Sequence, residues 1–373
     1  MSQATPPVAD PKAGKPVLTP SDQDTGDQES ILLLGIDLGT SRSSVVSMNG
    51  ARKTVESYVG FPRDAVSRKF FKADIIYGRQ ALDHRLALEM YRPLEKGVIK
   101  GTLEGDAGSA EEHAKNLNAA KLLLKHLVDL AEPGRDDLVY GVIGVPARAT
   151  LKNKQAMLEI AREVLDGVML VSEPFTVAYG LGLMSDVLVI DIGAGTTDLC
   201  RMHGTVPADE DQITFPIAGD VVDQKLYDLI KAKYPQVQLT VNMCKTFKEQ
   251  YGFVSDARDK VEVPIPVNGK PTPHDITAEL KQACELLVKP ILEAIHNLIS
   301  SFNPEFQDKL RSNILLSGGG GLLDGLNKRL EDGLVQMVGS GRVTVVDEPL
   351  YAGANGALQL AIDMPREYWQ QLK

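Results

Sequence analysis

One short pattern occurs twice in this chain, and the repetition limits its fold more than any other feature. "LGIDLGTSRSSVV" occupies residues 34 to 46, and "VIDIGAGTTDLC" occupies residues 189 to 200. In each, an apolar run ends at an acid, Asp37 or Asp191, and a turn rich in glycine and hydroxyls follows. The two acids stand about 150 residues apart, close to a whole-domain length, so a duplicated domain is the economical reading. A single turn of this kind can be a tight hairpin whose acid caps a backbone N–H. Two of them, each at the end of an apolar strand, suit a ligand gripped between two halves.

The stretches around the repeats support that architecture. "LVYGVIGVP" (138 to 146), "NILLSGGGG" (313 to 321) and "VTVV" (343 to 346) read as apolar strands, and "VMLVSEPF" (168 to 175) as a strand followed by a helix start. Asn49-Gly50 signals a hairpin after the first repeat. Helical periodicity covers 116 to 134, and helices are expected at 221 to 233, 241 to 252, 276 to 300 and 322 to 336. A further helix, "GANGALQLAIDM", opens on glycines, and Ser172 is placed to cap the helix that begins at Glu173. Apolar strands alternating with helices indicate an α/β fold with covered sheets.

Composition removes several classes. With 43% hydrophobic and 24% charged residues the chain can bury sizeable cores. Residues 1 to 30 differ: five prolines, no aromatic residue and several acids predict a disordered arm without the apolar core of a signal peptide. No apolar run approaches the roughly 20 residues of a membrane span, so direct membrane insertion is not expected. A net charge of −10 argues against nucleic acid as a partner. Cys200, Cys244 and Cys284 form no CxxC pair, which predicts neither a disulfide framework nor a zinc site and fits a reducing cytoplasm.

A bound triphosphate explains the composition of the turns. It needs backbone N–H groups at close approach, hydroxyl donors, and a divalent cation held by one or two carboxylates. The first turn offers Asp37, Gly39, Thr40 and Ser41; the second offers Asp191, Gly193, Gly195, Thr196 and Thr197. Asp37 and Asp191 are the expected metal carboxylates. No GxxxxGK[ST] motif occurs, so the site is not of the Walker type. A third turn, Gly318, Gly319, Gly320 and Gly321, lies between a strand and a helix, where backbone can approach a base or phosphate.

Taken in order, DLGT, VIGVP, DIGAGTTD, SGGGG and GANGA resemble the five motifs of the actin/Hsp70/sugar-kinase ATPase superfamily: phosphate-1, connect-1, phosphate-2, adenosine and connect-2. "IGVPARA", "LVSEPFTVAYGL", "GTVPADEDQ", "KEQYGFV" and "REYWQQL" further resemble the bacterial actin-like filament proteins associated with magnetosomes. The resemblance implies an actin-like fold, two duplicated ribonuclease-H-like domains around a nucleotide cleft. Domain I would take 31–184 and 353–373, with a variable subdomain near 58–115; domain II would take 185–352, with one near 233–275. It implies ATP/ADP and Mg2+ as cofactors. Gly219 and Asp220 would lie beside the nucleotide, Lys248 and Glu249 would reach ribose and adenine, and Glu173 would position the attacking water. The implied function is a cytoplasmic ATPase that polymerises with ATP, disassembles after hydrolysis, and aligns magnetosomes through adaptor proteins. A plasmid-segregating filament and, from another class, a small-molecule kinase are the alternatives. An Hsp70-type chaperone is expected to carry a substrate domain after "GANGA", where only about twenty residues follow.

Overall fold

The computed structural model describes residues 30–102, 108–256 and 259–372. The expected arm, residues 1–30, lies outside them apart from Ser30. Ten strands form two large sheets. The first contains β1 (Ile31–Leu38), β2 (Arg42–Ser47), β3 (Arg52–Glu56), β4 (Leu138–Val145) and β5 (Gly167–Ser172), in the order β5-β4-β1-β2-β3. The second contains β6 (Ser185–Ile192), β7 (Thr197–His203), β8 (Gln212–Phe215), β9 (Ile314–Ser317) and β10 (Val343–Val345), in the order β8-β7-β6-β9-β10. In each, three antiparallel strands come first and two parallel strands are added on the other side of the leading strand. The halves share one topology, and the fold is actin-like α/β.

Register carries the repetition down to single residues. Asp37 faces Ser44 on β2 and Gly144 on β4. Asp191 faces Asp198 on β7 and Ser317 on β9. Each acid therefore ends the central strand of its sheet, where strand order reverses and open α/β sheets form a crevice. The central strands are apolar nearly throughout because helices cover both of their faces.

Four helices border the crevice: α1 (Glu173–Gly180), α2 (Gly219–Lys233), α3 (Val241–Tyr251) and α4 (Ala352–Asp363). Two of them are exchanged between the halves. α1 follows β5 of the first sheet, yet Phe175, Val177 and Ala178 pack with Val187, Val189, Cys200 and Met202 of the second. α4 follows β10 of the second sheet, yet Ala357 and Ala361 pack with Tyr140 and Val142 of the first. The helices meet with no room for a side chain: a Cβ on Gly356 would sit 1.7 Å from the Thr176 carbonyl oxygen. Trp369 closes this layer, buried and stacked on Tyr140 at 5.1 Å.

The helical expectations hold in part. The helix expected at 116 to 134 runs from Ala110 to Leu130, capped by the Ser109 side chain on Glu112 N. The single helix expected at 276 to 300 is three pieces: Thr277–Cys284, a 3-10 turn Glu285–Leu287, and Val288–Ser300. Pro290 is the cause, because it has no N–H and its ring excludes the carbonyl four residues earlier. The helix expected from 322 starts at Leu326, after a 3-10 turn and Gly325 in the left-handed region at φ 77°. Ser172 precedes α1, but its side chain makes no cap bond. The three cysteines are buried.

The α1–α4 contact yields a test of sign. On a solvent-facing helix, glycine to alanine adds up to about 1 kcal/mol of stability. Gly356→Ala is expected to destabilise instead, by about 1–3 kcal/mol through overpacking. Chemical denaturation of both proteins measures it, and a stabilised variant would contradict the close helix contact.

Candidate functional site

The two repeat turns stand opposite one another at the crevice and line a cavity of about 430 Å3. Their approach is tight: a Cβ on Gly195 would lie 2.4 Å from Thr40 Oγ1. Their carbonyls are tied back. The Ser57 hydroxyl donates to Gly39 O at 2.6 Å, and Arg92 Nε donates to Thr40 O at 2.8 Å. Gly219 N donates to Gly193 O at 3.1 Å, and Asp220 N donates to Ala194 O at 2.8 Å. In a planar trans peptide the C=O and the next N–H point in opposite directions. The N–H groups of Thr40, Ser41, Ala194 and Gly195 are therefore turned away from these partners, and all four residues line the cavity. This is how a backbone makes an anion cradle.

Beneath the turns the charge is reversed. Asp37, Glu173 and Asp191 line the cavity floor. Burial raises Asp37 to about 6. Burial, then the charges of Asp37 and Asp198, raise Asp191 to about 8. Glu173, buried at the first position of α1, is raised well above the usual carboxylate range by burial and then by Asp37, Asp198 and Asp191. Asp198 completes the group. Burial raises it as well, against hydrogen bonds donated by Thr214 Oγ1 at 2.6 Å and Ala147 N at 2.7 Å. Asp37 and Asp191 both line the cavity, and Mg2+ takes one or two carboxylates besides water and substrate phosphates, so these residues fit that ion.

Most residues expected at the site line the cavity: Asp37, Gly39, Thr40, Ser41, Glu173, Asp191, Gly193, Gly195, Thr196, Gly219, Lys248, Glu249, Gly318, Gly319 and Gly320. Three do not. The Thr197 hydroxyl is spent on Ile217 O at 2.8 Å. Gly321 lies in the 3-10 turn, packed toward Leu316. Asp220 is held by Arg92 Nη2 at 2.9 and 2.8 Å, so it joins the halves. Lys248 and Glu249 already have protein partners: Lys248 Nζ pairs with Asp223 at 2.8 Å, and Glu249 pairs with Arg42 at 2.8 Å across the crevice. Sequence reading missed Asp198, Arg42, Arg92, Asp223 and Lys245. Asp198 was visible as the second acid of "DIGAGTTDLC"; the others carry no local signal.

The family profile described as MreB/Mbl protein matches residues 32–367. The chain is 39% identical over 347 residues to "Actin-like protein MamK" of Paramagnetospirillum magneticum, covering 93% of this chain and 97% of that protein. It is equally similar, at 39%, to "Actin-like protein MamK" of Magnetospirillum gryphiswaldense, covering 93% of each. Among solved structures, a MamK double helical filament matches with TM-score 0.85 and 38% identity, over 90% of this chain and 100% of that one. A non-polymerising MamK mutant bound to AMPPNP matches with TM-score 0.67 and 39% identity, over 90% and 100%.

The buried acids set a pH dependence for the ligand-free protein. Between the ordinary aspartate value of 3.8 and the native values of about 6 and about 8, the folded state holds protons that the unfolded chain has lost. The stability these protons contribute is complete below about pH 4 and is lost as pH rises through about 6 to 8. For one proton the slope reaches about 1.4 kcal/mol per pH unit. Melting temperatures from pH 5 to 8.5 should therefore fall more steeply for the parent than for Asp191→Asn. Parallel curves would contradict the assignment of a buried proton to Asp191.

Proposed function

The chain belongs to the MreB/Mbl family as an actin-like cytoskeletal protein, and we propose that it is a filament-forming ATPase which polymerises with Mg-ATP and disassembles after hydrolysis. The observation that carries this reading is the pairing of two like turns over the carboxylates of Asp37, Glu173 and Asp191 between two like sheets. Anion-binding amides above and acids below suit a phosphate chain together with a divalent cation. A MamK relative bound to AMPPNP supports a nucleotide as the ligand.

Each group then has a task. The N–H groups of Thr40, Ser41, Ala194 and Gly195 hold phosphate oxygens from both halves. Asp37 and Asp191 are the carboxylates that would hold Mg2+, which would supply positive charge to neutralise the phosphates. Gly318, Gly319 and Gly320, with Leu323, Pro349 and Leu350, leave a low apolar wall suited to a base. Glu173 orients the attacking water and takes its proton. In the ligand-free cleft burial, then the charges of Asp37, Asp198 and Asp191, push Glu173 well above the usual carboxylate range. It becomes a base only when positive charge in the cleft offsets its neighbours.

Self-assembly follows from the relatives that are filaments. A head-to-tail contact that does not close generates a filament. We place it in the cytoplasm alongside magnetosomes, joined to them by adaptor proteins, as the MamK name of its relatives suggests. No described helix is long and apolar enough to cross a membrane.

Two measurements test this function. Electron microscopy and sedimentation with Mg-ATP should show filaments above a critical concentration, and few without nucleotide. Substrate-dependent phosphoryl transfer from a protein that never pellets would point to a kinase instead. Glu173→Ala should keep assembly and slow phosphate release by about 10²–10⁴, so its filaments outlast those of the parent. Undiminished phosphate release would remove Glu173 from the chemistry.

A further inference from the structure

Three cations line the cleft: Arg42, Lys245 and Lys248. Two face a carboxylate at contact distance, Arg42 on Glu249 and Lys248 on Asp223, both at 2.8 Å. Lys245 does not. Its nearest carboxylate oxygen is Glu249 Oε1 at 4.0 Å, and the other oxygen of that group is held by Arg42. Only 18% of its side chain is exposed. Its ammonium is instead given to a neutral group, the Ser41 hydroxyl.

That arrangement is unfavourable as it stands. A largely buried ammonium calls for an anion, and a hydroxyl supplies only a dipole. Burial lowers the pKa of Lys245, with Glu249 opposing it. The ordinary role for such a lysine is an i,i+4 helix pair with Glu249. That pair is long, and it runs in the weaker order, lysine before glutamate. The position is unusual too. Lys245 belongs to α3 of the second half, whereas Ser41 belongs to the cradle turn of the first.

We infer that Lys245 is a phosphate-binding residue, which donates from the second half to the polyphosphate of a nucleotide lying on the Thr40–Ser41 turn. The inference rests on the nucleotide reading above and adds to it the group that ties cleft closure to phosphate. A nucleoside without phosphates would not meet Lys245. A di- or triphosphate would be held by both halves at once.

The test is binding of AMPPNP, ADP and adenosine to dilute protein in the presence of Mg2+, by titration calorimetry, for the parent, Lys245→Met and Lys245→Arg. Removing a charge-assisted bond should weaken AMPPNP and ADP by about ten- to a hundredfold. Adenosine should bind both proteins alike, and Lys245→Arg should recover most of the loss. Ligand-free melting curves identify a variant that has not folded. In that case Lys245→Gln takes the place of Lys245→Met, with the same expectation. Unchanged AMPPNP affinity in the variant, beside a parent that binds, overturns the inference and leaves the nucleotide reading standing. An equal loss for adenosine overturns it as well, because Lys245 would then shape α3 and not meet phosphate. A parent that binds none of the three overturns both.

Discussion

Four carboxylates gathered at one crevice, Glu173 and Asp198 buried and Asp37 and Asp191 half-buried, are the constraint around which this molecule is built. Asp37, Glu173, Asp191 and Asp198 come from both halves, and their neighbours on the floor are acids, not cations. Unpaired buried charge is among the most costly features a fold can carry. Burial limits that cost in the ligand-free protein by raising Asp37 to about 6 and Asp191 to about 8, which favours their protonated forms. It also hydrogen-bonds the fourth acid, Asp198, to Thr214 and the Ala147 amide. What remains is a site that gains most from a ligand bringing its own positive charge. Binding and stability are thereby linked by the same groups.

The cations are kept at the rim. Arg42, Arg92, Lys245 and Lys248 all lie nearer the turns than the floor, and three of them are neutralised by Glu249, Asp220 and Asp223. Two of these pairs cross between the halves: Arg42 with Glu249 and Arg92 with Asp220. They are half-exposed, so each contributes little stability alone. Their value is geometric. They hold the two turns face to face while the floor remains free, which is what a cradle for a phosphate–metal complex needs.

Exchange of α1 and α4 ties the halves at the other end. Each helix is delivered by one sheet and packs on the other, and they meet at Gly180 and Gly356. A contact with no side chain at its centre is stiff to separation.

Much of this was legible in the chain. The duplicated turns, their acids and the strand–helix alternation predicted two like halves and a phosphate cleft, because backbone cradles demand glycine and hydroxyls at fixed places. Glu173 was singled out only through the family resemblance, because a carboxylate in the first turn of a helix is favoured by the dipole anyway. The local pattern failed where a distant group decided. Pro290 divides a helix that periodicity alone made continuous. Asp220 looks like any acid in a first helical turn until Arg92, 128 positions earlier, is found on it. Lys245 and Glu249 sit one turn apart on α3, but Ser41 and Arg42, more than 200 positions away, take their polar ends. The amino-acid sequence by itself determined which backbone segments could approach an anion, since that depends on residue type and neighbours along the chain. Only the tertiary structure decided which charges are paired and which carboxylates are pushed above their ordinary range, since Coulomb energy and desolvation depend on distance and burial in space.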